Sequence, residues 1–263
     1  MKNRYTLAGL LITTTLLFNG CTKTGPQGPQ GTQGNAGPSL TGSITGHFIL
    51  YDQYGSVQSV SKAGASVVLY NANNQVLDSI NPDTAGLYTI NNVSTGIYTL
   101  AFSDTNYGQE LHQDLEFTGG GTLNVDGKMS VIPNFNITGI TADSVNHTAQ
   151  VIIISCTVTS DTRQRTLLTF VGTTASVSSN PANYLVAVPQ NIKANQTTVT
   201  IVIPLGTLYS AGFSSGSTAY FAIYGAAGNY NNSSSYEDYV TTRTIYNAIT
   251  ATGYSPLPSL VLP

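Results

Sequence analysis

Residues 83–102 read DTAGLYTINNVSTGIYTLAF, a turn, a strand, a second turn and a second strand. Asp83, Thr84 and Gly86 are turn formers. Leu87, Tyr88, Ile90 and Val93 make a short strand with apolar residues on both faces. Ser94-Thr95-Gly96 turns the chain again, and Ile97, Tyr98, Leu100 and Phe102 continue as the next strand.

The same grammar extends on either side. In Ser43–Tyr51, Ile44, Gly46, Phe48 and Leu50 alternate with Thr45, His47, Ile49 and Tyr51. Gln53-Tyr54-Gly55-Ser56 is a turn, and Val57–Val60 reads as a short edge strand. Ala65–Tyr70, Val76–Ile80, Glu110–Phe117 and Thr122–Val131 complete about seven strands over residues 42–132. Turn signals every 8–12 residues favour a sandwich.

The spacing Asp83-x-x-Gly86-x-Tyr88-x-Ile90-x-Asn92-Val93-x-x-Gly96-x-Tyr98-x-Leu100 resembles the carboxypeptidase regulatory-like domain, a transthyretin-like β-sandwich. Ser43-Ile44-Thr45-Gly46 resembles its opening strand, and Ala63–Leu69 resembles its second apolar strand. The resemblance covers residues 41–131 and implies a non-catalytic module, a spacer, folding aid or interaction surface.

Pro133 marks a boundary, and residues 133–263 read as a second all-β domain. Gln150–Val158 is apolar on both faces, as in a central strand. Leu167–Val171, Tyr184–Val188 closed by Pro189, Thr197–Ile203 closed by Pro204, Thr218–Tyr224 and Tyr239–Ile249 follow. The runs Ile203–Tyr209 and Thr218–Tyr224 resemble a fibronectin type III sandwich. Ser255–Pro263, with three prolines, reads as a tail or edge segment. No apolar period of 3.6 residues stands out beyond the N-terminal segment. The expected fold class is all-β, with two Ig-like or transthyretin-like sandwiches in tandem.

Residues 1–21 read as an export signal: Lys2 and Arg4 precede an apolar run from Tyr5 to Phe18. Leu17-Phe18-Asn19-Gly20-Cys21 resembles a bacterial lipobox, with Cys21 as the lipidated residue; Phe18 and Asn19 depart from its commonest choices. Acyl chains on Cys21 would hold the mature protein at a membrane, each buried CH₂ contributing about 0.8 kcal/mol. Over 22–41, Gly25, Gly28, Gly31, Gly34 and Gly37 recur at every third position, a collagen-like period. The period suits an extended tether of roughly 60 Å, at about 3.1 Å per residue; the alternative is a stalk that makes the protein a homotrimer.

Composition agrees with an exported β-protein. Of 263 residues only 8% are charged, while Gly (26) and Tyr (16) abound. A net charge of −3 supplies no electrostatic footprint for nucleic acid. The expected location is the cell envelope, lipid-anchored, at the outer membrane on either its periplasmic or its surface face, with an outer-membrane protein or a glycan as partner.

Candidate chemistry is sparse. Cys156 lies in the most apolar strand with no neighbouring base, which suits a buried, inert thiol. His47, His112 and His147 show no metal-binding spacing, and no cofactor or metal is expected. Glu110, Asp114 and Glu116 are the closest carboxylates; Asp114 and Glu116 would share a strand face and suit a solvated edge, while Glu237-Asp238 falls in a loop that offers a weak cation site. There is no Gly-x-Ser-x-Gly motif, and no enzyme is expected.

The best binding candidate is the loop 226–239, where Tyr230, Tyr236 and Tyr239 are interleaved with Asn residues that include Asn232. Tyr offers a stacking face and Asn paired hydrogen bonds, the groups that hold sugars. Asp78-Ser79-Ile80, Asp83-Thr84-Ala85 and Asp143-Ser144-Val145 resemble the O-glycosylation motif of Bacteroidetes exported proteins, which implies sugars on Ser79, Thr84 and Ser144. The leading expectation is a non-catalytic cell-envelope lipoprotein acting as a structural or protein-interaction module. The alternative is a carbohydrate-binding surface lipoprotein that uses the loop.

Overall fold

A computed structural model describes residues 39–146, 148, 150–228, 235–250 and 258–263. The lipobox Cys21 and the Gly-x-x segment lie outside these residues. Residues 39–263 form one compact unit, almost wholly of β-strands. No helix among the described residues is long and apolar enough to cross a membrane.

The first sandwich comprises β1 (Thr41–Tyr51), β2 (Ser66–Asn71), β3 (Val76–Ile80), β4 (Leu87–Ser94), β5 (Gly96–Ser103), β6 (Glu110–Phe117), β7 (Thr122–Asn124) and β8 (Gly127–Ser130). β1 pairs antiparallel with β4 on one edge. On its other edge β1 runs parallel to β7 and then to β8. The opposing sheet has the order β3-β2-β5-β6. The expected alternation in β1 holds, since Ile44, Gly46, Phe48 and Leu50 are all buried. They meet Val67, Tyr88, Ile90, Leu100, Phe102 and Met129 in one core.

Three local expectations in this half change and one holds. The expected edge strand Val57–Val60 reduces to one bridge, Tyr51 to Val57, because the turn before it leaves this segment along the surface. Thr122–Val131 divides into β7 and β8 around Val125, whose carbonyl turns to accept the Tyr88 hydroxyl. The turn at Asp83 is as expected, with Asp83 Oδ1 accepting the Leu87 amide at 2.8 Å. Asp114 and Glu116 are both exposed, but Asp114 sits at φ 52° in a bulge, where the register against β5 shifts.

The second sandwich comprises β9 (Ile137–Asn146), β10 (Val151–Val158), β11 (Arg165–Gly172), β12 (Val186–Ile192), β13 (Thr198–Pro204), α1 (Leu205–Ser210), β14 (Thr218–Ala226), β15 (Ser235–Asp238), β16 (Arg243–Tyr246) and β17 (Ser259–Val261). One sheet is β13-β10-β9, the other β12-β11-β14-β17, and β15-β16 is a separate hairpin. Ile152, Ile154, Cys156, Leu167, Val199, Ile201, Phe221 and Ile223 lie in the core between the sheets.

β10 is the central strand of its sheet, as expected of Gln150–Val158, but its burial alternates between buried and half-buried or exposed positions instead of covering both faces. The doubly buried strand is β11, all eight of whose residues are buried. Pro189 does not close a strand: it lies inside β12, an edge strand, where its missing N–H faces no partner. Pro204 ends β13 and starts the single turn α1, a helix too short to show periodicity. Glu237 and Asp238 are in β15 rather than a loop, and 239–242 is the turn that leads to β16.

Candidate functional site

Two features distinguish the compact unit: a joint between the sandwiches and a covered outer face on the second one.

The joint begins in the turn after β1. Asp52 Oδ1 accepts the amides of Tyr54 and Ser56, which fixes the turn. Tyr54 then donates its hydroxyl to Asp161 Oδ2 at 2.6 Å. Arg163 pairs with Asp52 Oδ2 at 3.0 Å, donates to Ser56 Oγ at 3.0 Å and lies 3.9 Å above the Tyr54 ring. The Tyr54 bond holds the Asp161 carboxyl below the usual carboxylate range and pushes the Tyr54 phenol up. Gly228 donates to the Gln53 carbonyl at 3.0 Å, and a Cβ there would meet the Tyr54 carbonyl oxygen at 2.4 Å. A second patch links Tyr239 N to Gln113 Oε1 at 2.9 Å and Asn247 to the Gln109 carbonyl.

The covered face is built on Phe170 of β11. Its ring meets Tyr184 at 4.9 Å, Tyr224 at 5.3 Å and Tyr246 at 5.5 Å, all edge-on. Such pairs contribute about 0.5–1.5 kcal/mol each beyond buried area. The hairpin β15-β16 lies over this face because Tyr184 donates its hydroxyl to the Thr244 carbonyl at 2.6 Å. Arg243 adds bonds to the carbonyls of Pro181, at 2.9 Å, and Tyr184. Burial pushes the Tyr184 phenol up to about 12.

Beside the hairpin lies a cleft of about 350 Å³, lined by Tyr184, Val186, Glu237, Arg243, Thr244 and Tyr246 among others. That is near the lower end of the ~300–1,000 Å³ range of small-ligand sites. A second recess of about 250 Å³ opens between β3 and β4, where Leu77 is 53% exposed.

The expected site residues fall as follows. Tyr230 and Asn232 lie outside the described residues, as does His147. Tyr236 is half-buried in β15 opposite Ile245, and burial raises its phenol. Alternation puts it on the face opposite Glu237. Tyr239 is exposed in the following turn, against the first sandwich. Ser79 and Thr84 are exposed; Ser144 is in β9, and its side chain is outside what is described. Cys156 is buried, its thiol pushed up to about 11 by burial. His112 Nε2 lies 3.0 Å from Glu110 Oε1, and His47 is exposed on β1. No group of three or more metal-ligating side chains occurs among the described residues.

Sequence reasoning passed over Tyr184, Arg243, Thr244 and Tyr246. Arg243 was one of only nine basic residues, which is the one signal that marked it.

No protein-family model matches the chain, and no curated protein matches it. Among solved structures it aligns with a Bacteroides uniformis protein provisionally described as carbohydrate binding, at 18% identity over 84% of this chain and 98% of that one, TM-score 0.33. It also aligns with DUF3823 family proteins. For the one from Bacteroides ovatus the identity is 16%, over 86% of this chain and 100% of that one, TM-score 0.29. For the one from Parabacteroides merdae it is 13%, over 81% and 98%, TM-score 0.25. At these scores nothing passes from them to the site of this chain.

Proposed function

We propose that this protein is a non-catalytic lipoprotein of the cell envelope, anchored through Cys21, held off the membrane by residues 22–41, and working as a rigid interaction module. The observation that carries the rigid module is the joint. Tyr54, Asp161, Arg163 and Asp52 link the two sandwiches within one compact unit. A rigid pair presents a fixed surface to a partner without ordering cost at the joint. The outer membrane is the proposed location, and an outer-membrane protein is the proposed partner.

Metabolic labelling with an alkynyl fatty acid, followed by crosslinking on intact cells, tests this. Label is expected on the parent and not on Cys21→Ser, with one recurrent membrane protein crosslinked to the sandwiches. An unlabelled protein, or a turnover activity that accounts for its role, would overturn the reading. Crosslinks to copies of itself in threes would favour the trimeric stalk.

A second reading, glycan binding, is favoured by one observation: the polar cleft beside the hairpin, which combines an aromatic ring, a guanidinium and a carboxylate.

A further inference from the structure

Glu237 and Arg243 line the same cleft with opposite charge, yet they form no ion pair with each other. Glu237 Oε1 accepts the Thr244 hydroxyl at 2.6 Å, and Oε2 accepts no hydrogen bond among the described residues. Arg243 spends Nη1 on two backbone carbonyls, and its Nη2 and Nε donate to no atom of the described residues. The cleft therefore holds acceptor and donor capacity on one lining, with Glu237 fixed by the Thr244 hydroxyl and Arg243 by two backbone carbonyls. Leu185 and Ala187 supply apolar surface beside them, with Leu185 36% exposed, while Val186 packs into the core between the sheets.

We infer that this cleft binds a short neutral saccharide, an inference that rests on the glycan reading and gives it residues and a ligand class. The two charges of the cleft cancel, so an anion or cation would leave one of them uncompensated beside it. Both residues reach solvent, where an ion pair contributes little. Recognition there depends on directed hydrogen bonds and apolar contact instead. Adjacent sugar hydroxyls offer a donor to Glu237 and an acceptor to Arg243. The C–H face of a pyranose matches the apolar surface of Leu185 and Ala187. Tyr236 takes no part, because it is not among the residues that line the cleft.

The test is calorimetric titration of the full chain in detergent micelles with short cello-, xylo-, manno- and malto-oligosaccharides. Oligogalacturonate and trialanine serve as the anionic and zwitterionic probes. Saturable binding of a neutral oligosaccharide is expected. Glu237→Gln, which keeps an acceptor for Thr244, should weaken it about tenfold or more, as should Leu185→Ala. Tyr236→Phe should leave it within about twofold. Circular dichroism and the unfolding midpoint establish that each variant is folded. Preferred binding of oligogalacturonate would overturn the neutral-saccharide inference while leaving the glycan reading standing. Binding of no sugar, or of trialanine alone, would overturn both. Neutral-sugar binding that both cleft variants leave unchanged would place the sugar elsewhere and overturn the assignment of this cleft.

Discussion

Gly46 shows how closely single residues are constrained. It sits in the buried face of β1, where the chain between β7 and β8 crosses; a Cβ there would meet the Val125 carbonyl oxygen at 1.8 Å. That oxygen also accepts the Tyr88 hydroxyl, so it is not free to retreat. Gly46→Ala is expected to cost about 1–3 kcal/mol, read as a lower urea midpoint with unchanged slope. Tyr184 makes a prediction in pH. Its phenol is raised from 10.0 to about 12 by burial. The folded state therefore holds that proton more tightly than the unfolded chain does. The resulting stability is whole below pH 10 and is lost as pH rises through about 12. Tyr184→Phe should flatten unfolding free energy against pH across that window. Below it, the variant should lose about 1 kcal/mol for the missing bond to Thr244.

At the scale of elements, the hairpin β15-β16 shares in deciding the character of β11. Leu168, Phe170, Ala222 and Tyr224 form an apolar face that Val177 and Tyr184 cover together with Tyr246 of the hairpin. Under that cover β11 is buried on both sides. Phe170→Ala should cost about 3–5 kcal/mol through the cavity it leaves among three tyrosines. Hydrogen exchange should then show the amides of 243–246 opening faster than in the parent while those of β10 keep their protection. Equal loss of protection in both would mean that the hairpin is not an individually docked element. The alternation in β1 was legible because it has one core face; β4 reads as apolar on both faces, yet it buries Tyr88, Ile90 and Val93 and leaves Leu87 45% exposed. β15 was not legible: Ser-Tyr-Glu-Asp carries little apolar pattern, and Tyr236 packs through its ring.

For the whole molecule, the joint is the feature to test. Arg163 and Asp52 are exposed enough that their pair is worth only about 0–1 kcal/mol. Tyr54→Phe with Arg163→Ala should therefore leave the unfolding midpoint nearly unchanged. It should broaden the inter-sandwich distance distribution measured between spin labels on β3 and β13. An unchanged narrow distribution would assign the rigidity to the second patch at Gln109, Gln113, Tyr239 and Asn247. Acid bears on the same point. The Asp161 carboxyl is held below its ordinary value by the Tyr54 hydroxyl, so its contribution is present above that value and is lost as pH falls through the lowered one. The same distribution should broaden as acid reaches that range. By itself the sequence determined the all-β class and most strands of both sandwiches, because turn residues and period-two alternation are local and act within a few residues. Only tertiary structure decided which strand lies buried on both faces, how the sandwiches join, and that Glu237, Arg243 and Tyr184 share a cleft. Those outcomes depend on contacts between residues 53 to 138 positions apart, such as Glu237 with Tyr184 or Asn247 with Gln109, which no local pattern encodes.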